Sequence, residues 1–153
     1  MAAGDSWDSW LIAGLAAHIA ANTSATWRPT GIYTAGEIGI YDRAIPQTPD
    51  TILTLALYAL TAEASATADV MVGVQVRIRG TEDPRICTDL GAEVFDLLDS
   101  SGLQFWGSGL QQVSIVDVFR QSQTSLGQDG NGRWEASHNY YVSAMRPTAH
   151  RTD

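Results

Sequence analysis

Val70-Met71-Val72-Gly73-Val74-Gln75-Val76-Arg77-Ile78-Arg79 is the stretch that decides how this chain folds. Val70, Val72, Val74, Val76 and Ile78 alternate with Met71, Gly73, Gln75, Arg77 and Arg79. Successive side chains of an extended strand point to opposite faces, so a period of two predicts one half-buried strand over 70–79. Its β-branched side faces a core, and its arginine-bearing side faces away from it.

Downstream, residues 80–83 turn the chain and Pro84 opens a helix, where its missing N–H costs nothing. Ile86, Leu90, Val94, Leu97 and Leu98 form the expected buried stripe, with Asp89, Glu93 and Asp96 opposite. From Glu82 to Asp99 six acids stand against Arg85 alone, which reads as a solvated face or as a surface offered to a partner or channel. Two long strands follow, over 110–121 and 133–146. Ser122 to Gly132, dense in Gly, Gln, Ser and Asp, is expected to form a long, flexible hairpin tip, because Asp129-Gly130 and Asn131-Gly132 are turn dipeptides. Trp134, Ala136, His138, Tyr140, Val142 and Ala144 share one face of the last strand.

Upstream, Pro46 and Pro49 lead into a strand over 51–60, followed by an Ala- and Thr-rich connection over 61–69. A short strand is expected over 37–41, after a loop-rich stretch with Trp27, Pro29, Gly31 and Gly36. The first helix, 6–21, can be capped by Asp5 or Ser6. Trp7, Trp10, Leu11, Leu15, His18 and Ile19 form its stripe. Ala13, Ala16, Ala17 and Ala20 make the other side small enough to pack on a second surface. The order α-β-β-β-α-β-β predicts an α+β domain: an antiparallel or mixed sheet with two helices packed on one face and a long β-hairpin near the C-terminus. One domain is expected over 1–153, with 148–153 a mobile tail.

Composition bounds the function. The chain has 153 residues, 44% hydrophobic and 17% charged, which suits one globular domain with a core of its own. Its net charge is −8, and all nine basic residues are Arg. That balance opposes general attraction to nucleic-acid phosphates. With Cys87 the single cysteine, neither an intrachain disulfide nor a thiolate metal cluster can form, and a reducing compartment is expected. Asp5 and Asp8 stand where a secretory signal would carry positive charge, and the apolar run 10–21 is too short to span a bilayer. A cytoplasmically made protein with no membrane contact is expected.

No constellation points to catalysis, which needs a nucleophile, a base and a group that orients the base. His18 lies in an apolar helical stripe, His138 sits beside Tyr140 on a strand face, and His150 is in the polar tail. Cys87 falls near the second helix's apolar stripe, where a free thiol acts as a small hydrophobe. Asp129-Gly130-Asn131-Gly132 approaches a calcium loop, but Arg133 takes the next ligand position and no acid follows at the required spacing. No glycine-rich phosphate loop or nucleophile elbow occurs. No catalytic residue, cofactor or metal is expected. Five Trp and an arginine-bearing strand face favour protein contacts instead.

Several segments in order resemble the tail terminator proteins, often labelled minor capsid proteins, of long-tailed phages. They are Leu11-Ile12-Ala13-Gly14-Leu15-Ala16, Pro49-Asp50-Thr51-Ile52-Leu53-Thr54-Leu55 and Val74-Gln75-Val76-Arg77-Ile78-Arg79-Gly80. Leu126-Gly127-Gln128-Asp129-Gly130-Asn131-Gly132-Arg133, leading to Ser137-His138-Asn139-Tyr140-Tyr141-Val142 and Arg146, completes the series. The resemblance covers roughly 10–151 and leaves 61–69 and 98–107 unmatched. It implies a virion protein at the head–tail junction: a hexameric ring that ends polymerisation of the tail tube, docks the head-completion or connector protein and lets DNA pass without specific binding. On that reading Arg77 and Arg79 pair with Asp89, Glu93 and Asp96 of a neighbouring copy, and Leu126, Gln128, Asp129, Asn131 and Arg133 contact tube or connector. The rival readings are another connector or tail-tube subunit and, more distantly, a small ligand-binding domain or enzyme built around His138 and Tyr140.

Overall fold

The computed structural model describes residues 1–60 and 67–152. Their elements are α1 (Trp7–Asn22), β1 (Ala25–Trp27), β2 (Ile38–Asp42), β3 (Ile52–Ala59), β4 (Asp69–Arg79), α2 (Pro84–Leu98), β5 (Gln104–Trp106), β6 (Val113–Gln128) and β7 (Trp134–Met145). The seven strands form one sheet in the order β1-β2-β3-β4-β7-β6-β5. β1, β2 and β3 run parallel to one another, and every other pair is antiparallel. This is the expected α+β arrangement.

The valine-rich strand takes the central place. β4 pairs with β3 along one edge and with β7 along the other, Val76 lying opposite both Leu55 and His138. Val74, Val76 and Ile78 are fully buried and join Leu53, Leu55, Tyr140 and Val142 in the core. Both helices cover this face. α1 also touches both edge strands, β1 and β5, so the sheet curls around it.

α1 begins at Ser6, whose hydroxyl accepts the Ser9 amide at 3.1 Å, a side-chain cap on an otherwise unpaired first-turn N–H. Its buried set, Leu11, Ile12, Gly14, Leu15, Ala16 and Ile19, is wider than the stripe read from sequence. Ala16 and Gly14 are included because the helix lies directly on β5. A Cβ on Gly14 would stand 2.9 Å from both the Gly107 nitrogen and the Trp106 carbonyl carbon. Gly14→Ala therefore lowers stability by about 2 kcal/mol, although alanine gains about 1 kcal/mol of intrinsic helix propensity. Urea denaturation checks it, and a variant more stable than the wild type would show that the two backbones can separate without cost.

α2 begins with Asp83 accepting the Arg85 amide at 3.0 Å and with Pro84 in its first turn. Its buried side is Cys87, Leu90, Gly91, Val94 and Leu98. Ile86 is exposed rather than part of the stripe. Cys87 takes the place one residue on, in register with Leu90, Gly91 and Val94 at helical spacing.

Two further expectations are corrected. Residues 25–27 and 104–106, read as loop or left unplaced, form the sheet's two edge strands. The expected flexible tip is largely strand. β6 runs on to Gln128 paired with β7, and only 129–133 connect the two. Three register irregularities, between Ile115 and Asp117, Arg120 and Ser122, and Ser125 and Gly127, absorb extra residues in β6, so strict alternation is lost where the pairing continues. The connection expected over 61–69 lies mostly outside the described residues, and Asp69 already belongs to β4. After Pro147 a short turn closes with the Thr148 amide donating to the Arg151 carbonyl at 2.9 Å.

Parallel β2 and β3 require the chain to return along the sheet between them. Residues 43–51 do so across the face opposite the helices, where the Thr54 hydroxyl donates to the Ala44 carbonyl at 2.6 Å.

Candidate subunit interface

The returning segment decides which polar groups of that face remain available. Arg79 is only 3% exposed. Its Nε donates to the Asp50 carbonyl at 2.9 Å, and its Nη2 donates to the carbonyls of Pro49 at 2.8 Å and Gln47 at 3.4 Å. Burial, and then the Arg133 charge beside it, hold its pKa below the usual guanidinium value. The guanidinium expected on an outward face is thus committed within the chain. Arg77, two residues earlier, is partly exposed and meets Glu135 at 3.3 Å.

The 129–133 connection is fastened to the same segment. Asp129 accepts from the Asn131 and Arg133 amides at 2.9 and 3.0 Å and from Arg133 Nε at 2.8 Å. These bonds hold its carboxyl below the ordinary carboxylate range, the Arg133 backbone contact contributing most. Arg133, itself buried, donates from Nη1 to the Gln47 carbonyl at 2.7 Å and to Asp50 Oδ1 at 3.2 Å. Asn131 Nδ2 reaches Gln47 Oε1 at 3.2 Å. Of the five residues expected to contact tube or connector, Asp129 and Arg133 therefore brace the fold, whereas Leu126, Gln128 and Asn131 are exposed.

Asp89, Glu93 and Asp96 stand together on the exposed side of α2. The hydroxyl of Ser24 donates to Glu93 at 3.2 Å. None of these three carboxylates forms an ion pair among the described residues, although Arg85 is near enough to Asp89 to attract it. Among the described residues, ion pairs join Arg28 to Glu37, Arg43 to Asp42, Arg77 to Glu135, Arg85 to Asp83, Arg133 to Asp50 and Asp129, and Arg146 to Asp8. Arg120 stacks over Phe95 with 4.1 Å to the ring centroid.

His138 and Tyr140, on which an enzymatic reading would rest, lie beneath α2. His138 is 2% exposed, and a Cβ on Gly91 would come within 2.9 Å of its Nε2. Burial, with a smaller contribution from Arg120, lowers its pKa to about 4, so near neutrality the ring is uncharged. Neither His138 Nδ1 nor the Tyr140 hydroxyl has a hydrogen-bond partner among the described residues. A cleft of about 240 Å³ beside His138 is lined in part by Cys87, Gln123, Ser125 and His138 itself. Burial also raises the Cys87 pKa, which keeps it a thiol rather than the reactive thiolate. His18 stacks on Trp106 at 6.1 Å between centroids. Among the described residues no cluster of three or more His, Cys, Asp or Glu could hold a metal, and no helix is long and apolar enough to cross a membrane.

The sequence model of the family described as bacteriophage tail terminator protein matches residues 18–146. This chain belongs to that family. The match begins inside α1 and contains all seven strands, so it covers the whole sheet on which these surfaces are built. Membership makes the protein a structural component of a phage tail, with contacts to other tail or head components. No curated protein matches the chain.

Sequence reading missed the tether of Arg79 and Arg133 to residues 47–50, since nothing in the local pattern shows which face the returning segment crosses. It also missed a set of exposed apolar side chains at the β5 end of the sheet. A signal for these was present: from Ser100 to Val116 no residue is charged.

Proposed function

We propose that this protein is a non-catalytic tail terminator. Six copies form a ring that closes the head-proximal end of the tail tube, ends tube polymerisation and docks the head-completion protein. The family match across the entire sheet carries this reading. Charge supports it. The net charge is −8 and Asp89, Glu93 and Asp96 form no ion pair among the described residues, so an acidic wall would repel phosphates within about 8 Å at physiological salt and let DNA slide past ungripped.

In this arrangement Arg77 supplies the ionic part of the contact between copies, facing Asp89, Glu93 and Asp96 of its neighbour. Arg79 stays within its own protomer. Leu126, Gln128 and Asn131 at the far end of the hairpin face the tube or connector.

Negative-stain images of the purified protein test the proposal, with single six-fold rings as the expected result. A phage lacking the protein should carry tails of uncontrolled length. Long stacks formed by the purified protein alone would identify a tube subunit instead. A persistent monomer whose removal leaves tail length unchanged would overturn the reading.

A further inference from the structure

We infer that the uncharged lobe formed by β5 and the turn after it is the surface on which the next copy of this chain docks. The inference rests on the ring reading and adds the location of the contact. Leu110, in a 3-10 turn over Gly109–Gln111, is 98% exposed, Leu103 is 83% exposed and Phe105 is 63% exposed. Val116, displaced at a bulge of β6 beside them, is also exposed. Trp106 points the other way, fully buried against α1, so the lobe is anchored rigidly while its apolar side chains project.

Area favours a protein occupant. At about 200 Å² per large side chain, Leu103, Phe105 and Leu110 together expose on the order of 500 Å². A stable interface needs roughly 800 Å² from each partner, of which this lobe would supply the apolar centre; the largest apolar patch on a monomer, typically about 300–600 Å², is often functional.

Charge selects a second copy. Two molecules each carrying −8 repel wherever their acidic surfaces meet. Ion pairs offset only part of this: apart from the Arg77 contact proposed above, the arginine ion pairs lie within each protomer, and Arg79 is buried. The Ser100–Val116 lobe itself carries no charged side chain, and the carboxylate that borders it, Asp117, is tied to the Gly102 amide at 3.0 Å. Apolar burial is then the contribution to self-association that this surface can make.

The test uses full-length protein, with native mass spectrometry and sedimentation across a concentration series. The double substitution Leu103→Glu and Leu110→Glu should leave the circular dichroism spectrum and melting temperature unchanged, since both side chains are exposed. It should raise the concentration for half-assembly by at least about a hundredfold, as expected for loss of interface anchors. The milder Leu110→Ala should raise it by about tenfold, which keeps the test valid should the double variant fold poorly. Ile32→Glu, at an exposed apolar position outside the lobe, should leave assembly unchanged. Normal ring formation by both lobe variants would overturn the inference and leave the ring reading standing. Rings that form normally but no longer cap tubes would assign the lobe to the tube and equally overturn it. A wild-type protein that never self-associates would refute both.

Discussion

Arg79→Ala is expected to lower the stability of the protomer by about 4 kcal/mol. The side chain is buried and donates to three backbone carbonyls of residues 47–50. Hydrogen bonds from a charged donor are each worth about 1.5–3 kcal/mol net, and truncation leaves the buried Pro49 carbonyl without this donor, whereas the Gln47 carbonyl keeps its bond from Arg133. Partial relaxation of the segment and water entry reduce the sum. Arg79→Lys should recover less than half, because a single ammonium cannot reproduce the fork that spans Asp50 on one side and Pro49 on the other. Urea denaturation of the three proteins measures the differences. Limited proteolysis provides a second readout, with cleavage within 43–51 much faster in the alanine variant. A loss below about 1 kcal/mol would mean that Arg133 alone holds the segment.

The second large effect is a dependence on pH. His138 has a folded pKa of about 4, against roughly 6.5 in an unfolded chain. Between those values the unfolded state binds a proton that the folded state refuses. Stability is therefore unaffected by this residue above pH 6.5 and falls as the pH drops from 6.5 towards 4. Over the whole window the loss is about 3 kcal/mol at most. His18 contributes in the same direction, since burial lowers its pKa too. The informative quantity is thus the difference between wild type and His138→Leu, which fills the site with a group that cannot titrate. The variant should show a visibly flatter decline between pH 6.5 and 5, above most carboxylate titration. Equal slopes would show that the imidazole becomes protonated without unfolding, which would require water beneath α2.

These two residues also show what the sequence could and could not reveal. β4 was legible because all its core-side residues are β-branched and its ladders continue without interruption. α2 was legible from its cap and spacing, to within the one-residue exchange of Ile86 for Cys87. β1 and β5 span three residues each, too few for a period to appear. The outer half of β6 carries Ser, Thr and Gln with bulges between them, so its alternation is broken and its turn-like composition dominates. Arg79 belongs by alternation to the polar face. Its burial follows from the crossing of 43–51, a tertiary event without local signature. The β5 lobe could have been found, since a long uncharged run containing Leu103, Phe105 and Leu110 stands out in a chain this acidic.

The central position of β4 carries a consequence for synthesis. One of its partners, β3, precedes it, but the other, β7, is the last of this sheet's strands in chain order, and Val76 waits some sixty residues for His138 to arrive opposite it. Until then the edge of β4 that β7 will occupy stays open, and the β6–β7 pairing cannot form. The surfaces proposed for self-association depend on that closed sheet, β5 through its pairing with β6. A chain that lacks β7 consequently leaves β4 and β6 without their shared partner, so completion of the sheet, rather than encounter with a neighbour, would set the earliest moment at which the proposed contact surfaces exist.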